Sequence, residues 1–311
     1  MLRQTFLWLS HRQGIFRFVR NNRLARRFAN RFVAGETIDS ALVAVRALNA
    51  KRITATLDLL GESVSRADEA RATAAHYVEL LDRIAAEGLD ANVSVKLTAM
   101  GQDISDTLCI ENITQVLERA RQHRTFVRLD MEGSAYTERT LQLFEEHLFA
   151  RFPEEVGIVL QSYLRRTPAD VANAIDIQCR VRLCKGAYKE PATIAFPEKR
   201  DVDATYVACM HRLMSEGKYP GLATHDEAII EQAKQYAREQ GISQDRYEFQ
   251  MLYGVRRDLQ ELLVREGYRM RVYVPYGTQW YPYLLRRLAE RPANLAFMTA
   301  SIMKEQFAKR R

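Results

Sequence analysis

The 311-residue chain has no uninterrupted apolar stretch near the roughly 18 residues of a membrane span, and no signal-peptide h-region follows Met1. A soluble or at most peripheral protein is therefore expected. Its four cysteines, Cys109, Cys179, Cys184 and Cys209, form no CxxC pair and no small disulfide framework, so a reducing compartment is the default. The six histidines contain no HxxxH or HxH pair, which speaks against a dedicated metal site. No GxGxxG follows the first β-branched run, so the glycine fingerprint of a doubly wound dinucleotide-binding sheet is missing.

Acid is missing altogether from residues 1–33, which carry eight arginines. Of 46 basic side chains eight lie there, leaving 38 against 39 acids elsewhere, so the body is near neutral and the formal charge of +7 belongs to an N-terminal arm. Leu24, Phe28 and Phe32 recur in the arm at helical spacing, the mark of an amphipathic helix. Docking of that stripe on the body is the leading reading, ahead of contact with an anionic membrane, with nucleic acid or a targeting presequence behind. The expected division is a basic helical arm over 1–50 and a catalytic body over 51–311.

From residue 53 one pattern repeats: a β-branched apolar run ending in Gly, Asp, Glu or Gln, then a longer helical stretch. Strands are predicted over 53–61, 92–100, 125–133, 156–163, 180–188, 221–226, 247–254 and 270–277. Helices are predicted over 68–88, 110–123, 138–152, 169–177, 203–217, 226–241, 257–267 and 281–291, several closed by glycine. Strand–helix alternation with connections too long for hairpins requires parallel pairing. Eight such units point to an α/β fold, a (β/α)8 TIM-type barrel, whose active sites lie at the C-terminal ends of the strands.

The polar residues at those ends are Asp58, Lys96, Asp130, Glu132, Gln161, Arg182, Lys185, Thr224, His225, Asp226, Gln250 and Tyr273. A charge inside an apolar strand is costly unless paired or used, so each is a site candidate or half of a barrel-interior ion pair such as Lys96 with Asp130. Arg286 and Arg287 sit together in Tyr281-Pro-Tyr-Leu-Leu-Arg-Arg-Leu-Ala-Glu-Arg-Pro-Ala-Asn294. Alone, such a pair reads as a solvated helix face. An aromatic cluster one turn earlier, with a strand and tight turn before it, favours two planar cations for a carboxylate or phosphate guest.

Seven segments, in order and at barrel spacing, resemble the proline dehydrogenase family in its short monofunctional bacterial form. They are Val93-Ser-Val-Lys-Leu-Thr-Ala99, Arg128-Leu-Asp-Met-Glu-Gly133, Val159-Leu-Gln-Ser-Tyr163, Val181-Arg-Leu-Cys-Lys-Gly-Ala-Tyr188, Ala223-Thr-His-Asp226, Glu248-Phe-Gln-Met-Leu-Tyr-Gly254 and the stretch from Tyr273 through Asn294. The resemblance implies a distorted barrel that binds FAD at its C-terminal face, oxidises L-proline to Δ1-pyrroline-5-carboxylate and passes electrons to a membrane quinone. It implies that Lys96, Arg286 and Arg287 hold the proline carboxylate, that Tyr273 and Leu252 pack against its ring, and that Glu290 steadies an arginine or the amine. Asp130 would organise Lys96 or the flavin edge, which makes Lys96, Asp130 and Tyr273 the expected catalytic residues. Gln161, Arg182, Lys185, Gly186, Ala187, Tyr188, Thr224, His225 and Gln250 take the cofactor positions, joined by Asp130, Arg287 and Cys184. Cys184 stands where an aliphatic residue is common.

Bifunctional relatives carry a long second dehydrogenase domain for which 311 residues leave no room. The step to glutamate is therefore expected from a separate pyrroline-5-carboxylate dehydrogenase. The expected location is cytoplasmic, with peripheral contact on the inner face of the membrane, and nucleic acid is not expected as a partner. Two other classes compete: a Schiff-base aldolase using Lys96 or Lys185, and a non-enzymatic membrane- or nucleic-acid-binding adaptor acting through the arginine arm.

Overall fold

In the computed structural model, which describes residues 30–281 and 283, eight parallel strands close into one barrel in chain order. They are β1 Thr54–Leu59, β2 Ala91–Val95, β3 Val127–Leu129, β4 Val156–Gln161, β5 Arg180–Cys184, β6 Gly221–Ala223, β7 Glu248–Leu252 and β8 Met270–Tyr276. The ring is sealed by β1 against β8, with Thr56 opposite Tyr273 and Leu59 opposite Tyr276. Helices alternate with the strands: α1 Ile38–Asn49, α2 Ala67–Ala86, α3 Asp106–Gln122, α4 Ser134–Leu143, α5 Thr167–Asp176, α6 Lys199–Glu216, α7 Glu227–Glu239 and α8 Arg257–Arg265. Helix α4 runs on into a π-helical segment, Phe144–Phe149.

The period of two along each strand separates two environments. Ala55, Leu57, Val93, Val127, Leu129, Leu183, Leu222, Phe249, Val272 and Val274 are buried in the main apolar cluster together with side chains of the surrounding helices. The alternate positions hold Thr56, Asp58, Asn92, Ser94, Arg128, Arg182, Glu248 and Gln250, all buried. The lumen of this barrel is polar, where branched apolar layers are the common filling. Glycines make space for it. A Cβ on Gly157 would stand 2.3 Å from the Arg180 carbonyl oxygen and 2.8 Å from Arg128 Nη1, and one on Gly221 would stand 2.3 Å from Gln250 Nε2.

Helix α1 precedes the first strand yet belongs to the ring. Thr37 and Ser40 cap it reciprocally, and Ile38, Ala41, Leu42, Val45 and Leu48 are buried where it packs on β1 and β8. The approach is clamped by Ala34 N–H donating to the Pro275 carbonyl at 2.8 Å and Gly277 N–H donating to that of Gly35 at 2.9 Å. Phe32 is buried, whereas Leu24 and Phe28 lie outside the described residues.

Most predicted strands run past the paired ones. The run over 92–100 pairs only to Val95 and becomes a 3₁₀ turn at Leu97–Met100, 125–133 pairs over Val127–Leu129, and 180–188 stops at Cys184. Beyond the last rung, backbone N–H groups turn to side chains: Thr98 N–H to Glu132 and Ser134 N–H to Glu190. Helix α3 starts at Asp106 rather than 110 because the Ser105 side chain accepts from Leu108 N–H at 3.1 Å. The helix predicted over 281–291 lies outside the described residues except for Tyr281 and Tyr283.

Gly157→Ala is expected to lower stability by about 1–3 kcal/mol, because the added methyl meets backbone rather than a yielding side chain. Denaturant unfolding of both proteins measures it.

Candidate active site

At the C-terminal mouth the ends of β1, β2, β3, β5, β7 and β8 converge on one hydrogen-bonded network. Lys96 Nζ donates to Asp58 Oδ1 at 2.8 Å and stands 4.0 Å from Asp130 Oδ2. Asp130 accepts from Tyr273 Oη at 2.7 Å and from Arg182 Nη1 at 2.9 Å. Arg182 reaches across the lumen, donating through Nη1 to Ser94 Oγ at 3.0 Å and through Nε to Gln250 Oε1 at 2.5 Å. Its guanidinium carbon also lies 5.2 Å from the Tyr273 ring centre. Lys96, Asp130, Arg182, Gln250 and Tyr273, expected from separate strands, are thus one unit.

Asp58 is the partner whose role sequence reasoning missed. It was visible as a polar strand end, but only the β1–β2 pairing brings it closer to Lys96 than Asp130 is. Burial opposes the charge on Lys96, yet Asp58 and then Asp130 more than offset it and hold the ammonium protonated well above the usual lysine range. A Schiff-base lysine needs the opposite shift, so Lys96 is no aldolase nucleophile. Burial, then the Asp130 and Asp58 charges, keep the Tyr273 phenol protonated as a donor. Glu132, at the β3 end, is pushed up to about 7 by burial although Thr98 donates to it through Oγ1 at 2.7 Å.

The remaining candidates stand around this unit. Gln161 donates through Nε2 to the Met131 carbonyl at 3.3 Å, while its buried Oε1 has no partner among the described residues. Cys184 ends β5 half-buried, its carbonyl accepting from Ser162 N–H at 2.8 Å. Lys185 is held by Asp203 at 2.6 Å and Asp226 at 2.9 Å, in a carboxylate cluster that Lys199 also joins. Gly186 takes a φ of 101°, and a Cβ there would meet the Tyr163 ring at 2.2 Å. Its glycine identity therefore has a cause inside the protein. Ala187 follows half-buried and Tyr188 is exposed.

Thr224 Oγ1 accepts from Asp226 N–H at 3.1 Å, and Leu252 N–H donates to His225 Nε2 at 3.0 Å. With Nε2 accepting, the neutral ring carries its proton on Nδ1. Burial, then Arg256, pushes His225 down to about 4. Arg286, Arg287 and Glu290 lie outside the described residues. Among the described residues, no group of three or more His, Cys, Asp and Glu is arranged to hold a metal ion.

A closed parallel barrel with paired charges at the C-terminal ends of its strands is the layout of a barrel enzyme. A family model described as proline dehydrogenase matches residues 41–300. Proline dehydrogenase 2 of Bacillus subtilis (strain 168) is 41% identical over 303 residues, 97% of this chain and 99% of that protein. Proline dehydrogenase of Deinococcus radiodurans is 43% identical over 279 residues, 89% of this chain and 90% of that one. Among solved structures, proline utilization A (PutA) from Bdellovibrio bacteriovorus, inactivated by N-propargylglycine, superposes with a TM-score of 0.79 at 29% identity. That match covers 85% of this chain and 32% of the other, so the chain spans about a third of that longer protein. The chain belongs to the proline dehydrogenase family.

The depressed His225 pKa sets a pH dependence. Unfolded, its imidazole binds a proton below about pH 6.5, whereas folded it stays neutral to about 4. The unfolded state then binds the extra proton, and stability falls as pH falls through that window, by at most about 1.4 kcal/mol per pH unit. His225→Gln is expected to remove this component. Unfolding free energies of both proteins between pH 4 and 7, roughly that window, should show the difference between them shrinking toward acid.

Proposed function

We propose that this chain oxidises L-proline to Δ1-pyrroline-5-carboxylate with FAD bound at the C-terminal mouth of the barrel, and delivers the electrons to a membrane quinone. Family membership over most of the chain makes it a flavin-dependent oxidoreductase acting on proline. The observation that carries the finer reading is the single network of Lys96, Asp58, Asp130, Arg182, Gln250 and Tyr273 at that mouth.

The residues fit a flavin. Gln161 keeps a buried acceptor without a partner among the described residues, which a flavin ring N–H would satisfy. Arg182 and His225 are the proposed polar groups where reduction builds negative charge. Thr224, Gln250, Asp130, Cys184 and the segment from Lys185 through Tyr188 complete the proposed cofactor contacts. When bound, the flavin supplies the two-electron acceptor for the hydride of proline C5.

For the substrate, the described charges nearly cancel: Lys96 and Arg182 face Asp58 and Asp130. A bound carboxylate therefore needs further positive charge. Arg286 and Arg287 are its proposed source, with Glu290 orienting one of them. Lys96, kept protonated by its acids, completes the clamp, while Tyr273 and Leu252 pack against the pyrrolidine ring and hold C5 in line for transfer. The amine proton leaves to solvent. Oxidation onward to glutamate falls to a separate pyrroline-5-carboxylate dehydrogenase.

Arg286→Met or Arg287→Met is expected to retain FAD, released on denaturation, and to lose roughly ten- to hundredfold in kcat/KM through KM for proline. Unchanged KM in both variants sinks the clamp, and a flavin other than FAD in the supernatant sinks the cofactor assignment.

We place the protein in the cytoplasm, peripheral to the inner face of the membrane, with the arginines of residues 1–29 as its contact. Among the described residues no helix is long and apolar enough to cross a membrane. Each Lys or Arg near an anionic surface contributes about 1 kcal/mol, which salt screens. Full-length protein is expected to co-sediment with anionic vesicles at low salt and to dissociate at high salt, and a chain starting at residue 30 to stay in solution. Equal binding by both counts against the arm.

A further inference from the structure

At the opposite end of the barrel, the N-terminal ends of the strands enclose a cavity of about 430 Å³ that reaches up the lumen to Arg182 and Gln250. Six arginines and four acids line it, and the pairing among them decides its character. Glu248 is consumed by Arg271 at 2.7 Å, Gln250 at 2.6 Å and Tyr219 Oη at 3.1 Å. Glu155 pairs with Arg121 at 3.2 Å, Glu154 pairs with Lys218 at 2.7 Å, and Arg182 is matched by Asp130. Arg124 and Asp90 are exposed, which leaves two inward guanidiniums, those of Arg128 and Arg180.

Arg128, only 4% exposed, donates to the carbonyls of Ile158 at 3.0 Å and Arg180 at 2.5 Å, and its buried Nε has no partner among the described residues. Arg180, the first residue of β5, likewise leaves a buried Nε without an acceptor. No described carboxylate lies within ion-pair distance of either. Both lie over Phe126, their guanidinium carbons 4.7 and 5.1 Å from its ring centre, so one aromatic ring holds the two forks. Burial, then the neighbouring Arg182, pushes Arg128 down to about 9, and the Glu248 charge, itself held by Arg271, offsets only part of this. Such a cation is costly, and an anion seated between two planar forks relieves the cost.

We propose that the N-terminal mouth of the barrel is a second ligand site, which takes a small oxyanion, phosphate or polycarboxylate, held by Arg128 and Arg180. It is distinct from the proline site and touches it through two side chains, since Arg182 and Gln250 line the cavity and also belong to the network around Asp130.

The test titrates the flavin-loaded full chain, in phosphate-free buffer, with inorganic phosphate and separately with citrate, by calorimetry and thermal unfolding, against potassium chloride at matched ionic strength. Saturable binding of one anion is expected, with a rise in Tm beyond that of chloride. The tighter arm names the source, phosphates or polycarboxylates. Arg180→Gln should weaken binding about tenfold or more. Thr125→Glu keeps both arginines and places a carboxylate in the cavity, so it should abolish binding even if Arg180→Gln does not fold. Responses no larger than chloride's, or wild-type affinity in either variant, overturn the proposal.

Discussion

The pairing of Arg182 with Asp130 is the contact on which the lumen depends. A guanidinium 6% exposed is tolerated only if its N–H groups find acceptors, and Arg182 finds them on three other strands: Ser94 of β2, Asp130 after β3 and Gln250 of β7. Each contact then constrains the next. Because Gln250 must turn its oxygen to Arg182, its amide nitrogen faces Glu248, and Glu248 in turn orients Arg271 toward Asn92. Polar order passes from one mouth of the barrel to the other. Gly221 belongs to the same chain of causes, since Gln250 occupies the space a Cβ there would need.

Neutrality at the C-terminal mouth has a chemical consequence. Two cations set against two carboxylates leave the described part of the mouth polarised yet nearly uncharged, so these four groups carry no net charge to offer an anion. The same balance argues against the aldolase reading, because Lys96 is ion-paired to Asp58 and Lys185 is held between two acids. An adaptor acting through the arm alone would leave this buried network without a use. The N-terminal mouth differs in kind: there the arginines outnumber the acids left to meet them.

Eight β-branched runs at regular spacing were enough for the sequence to determine a parallel barrel, because strands separated by helical stretches too long for hairpins must pair in parallel. The polar strand ends were equally legible, since a charge at the end of an apolar run has few other reasons to be there. Strand limits were not. Pairing stops where N–H groups at the mouth find side-chain acceptors such as Glu132, and no local pattern encodes a partner 34 residues away. The place of α1 was decided by tertiary structure too, because its apolar stripe specifies burial but not which seam it covers. Asp58 was readable as a candidate, but its preference for Lys96 over Asp130 followed from the β1–β2 register. Sequence determined which residues are polar at which strand end. Closure of the barrel decided which of them meet, because it alone sets the distances across the lumen on which charge pairing depends.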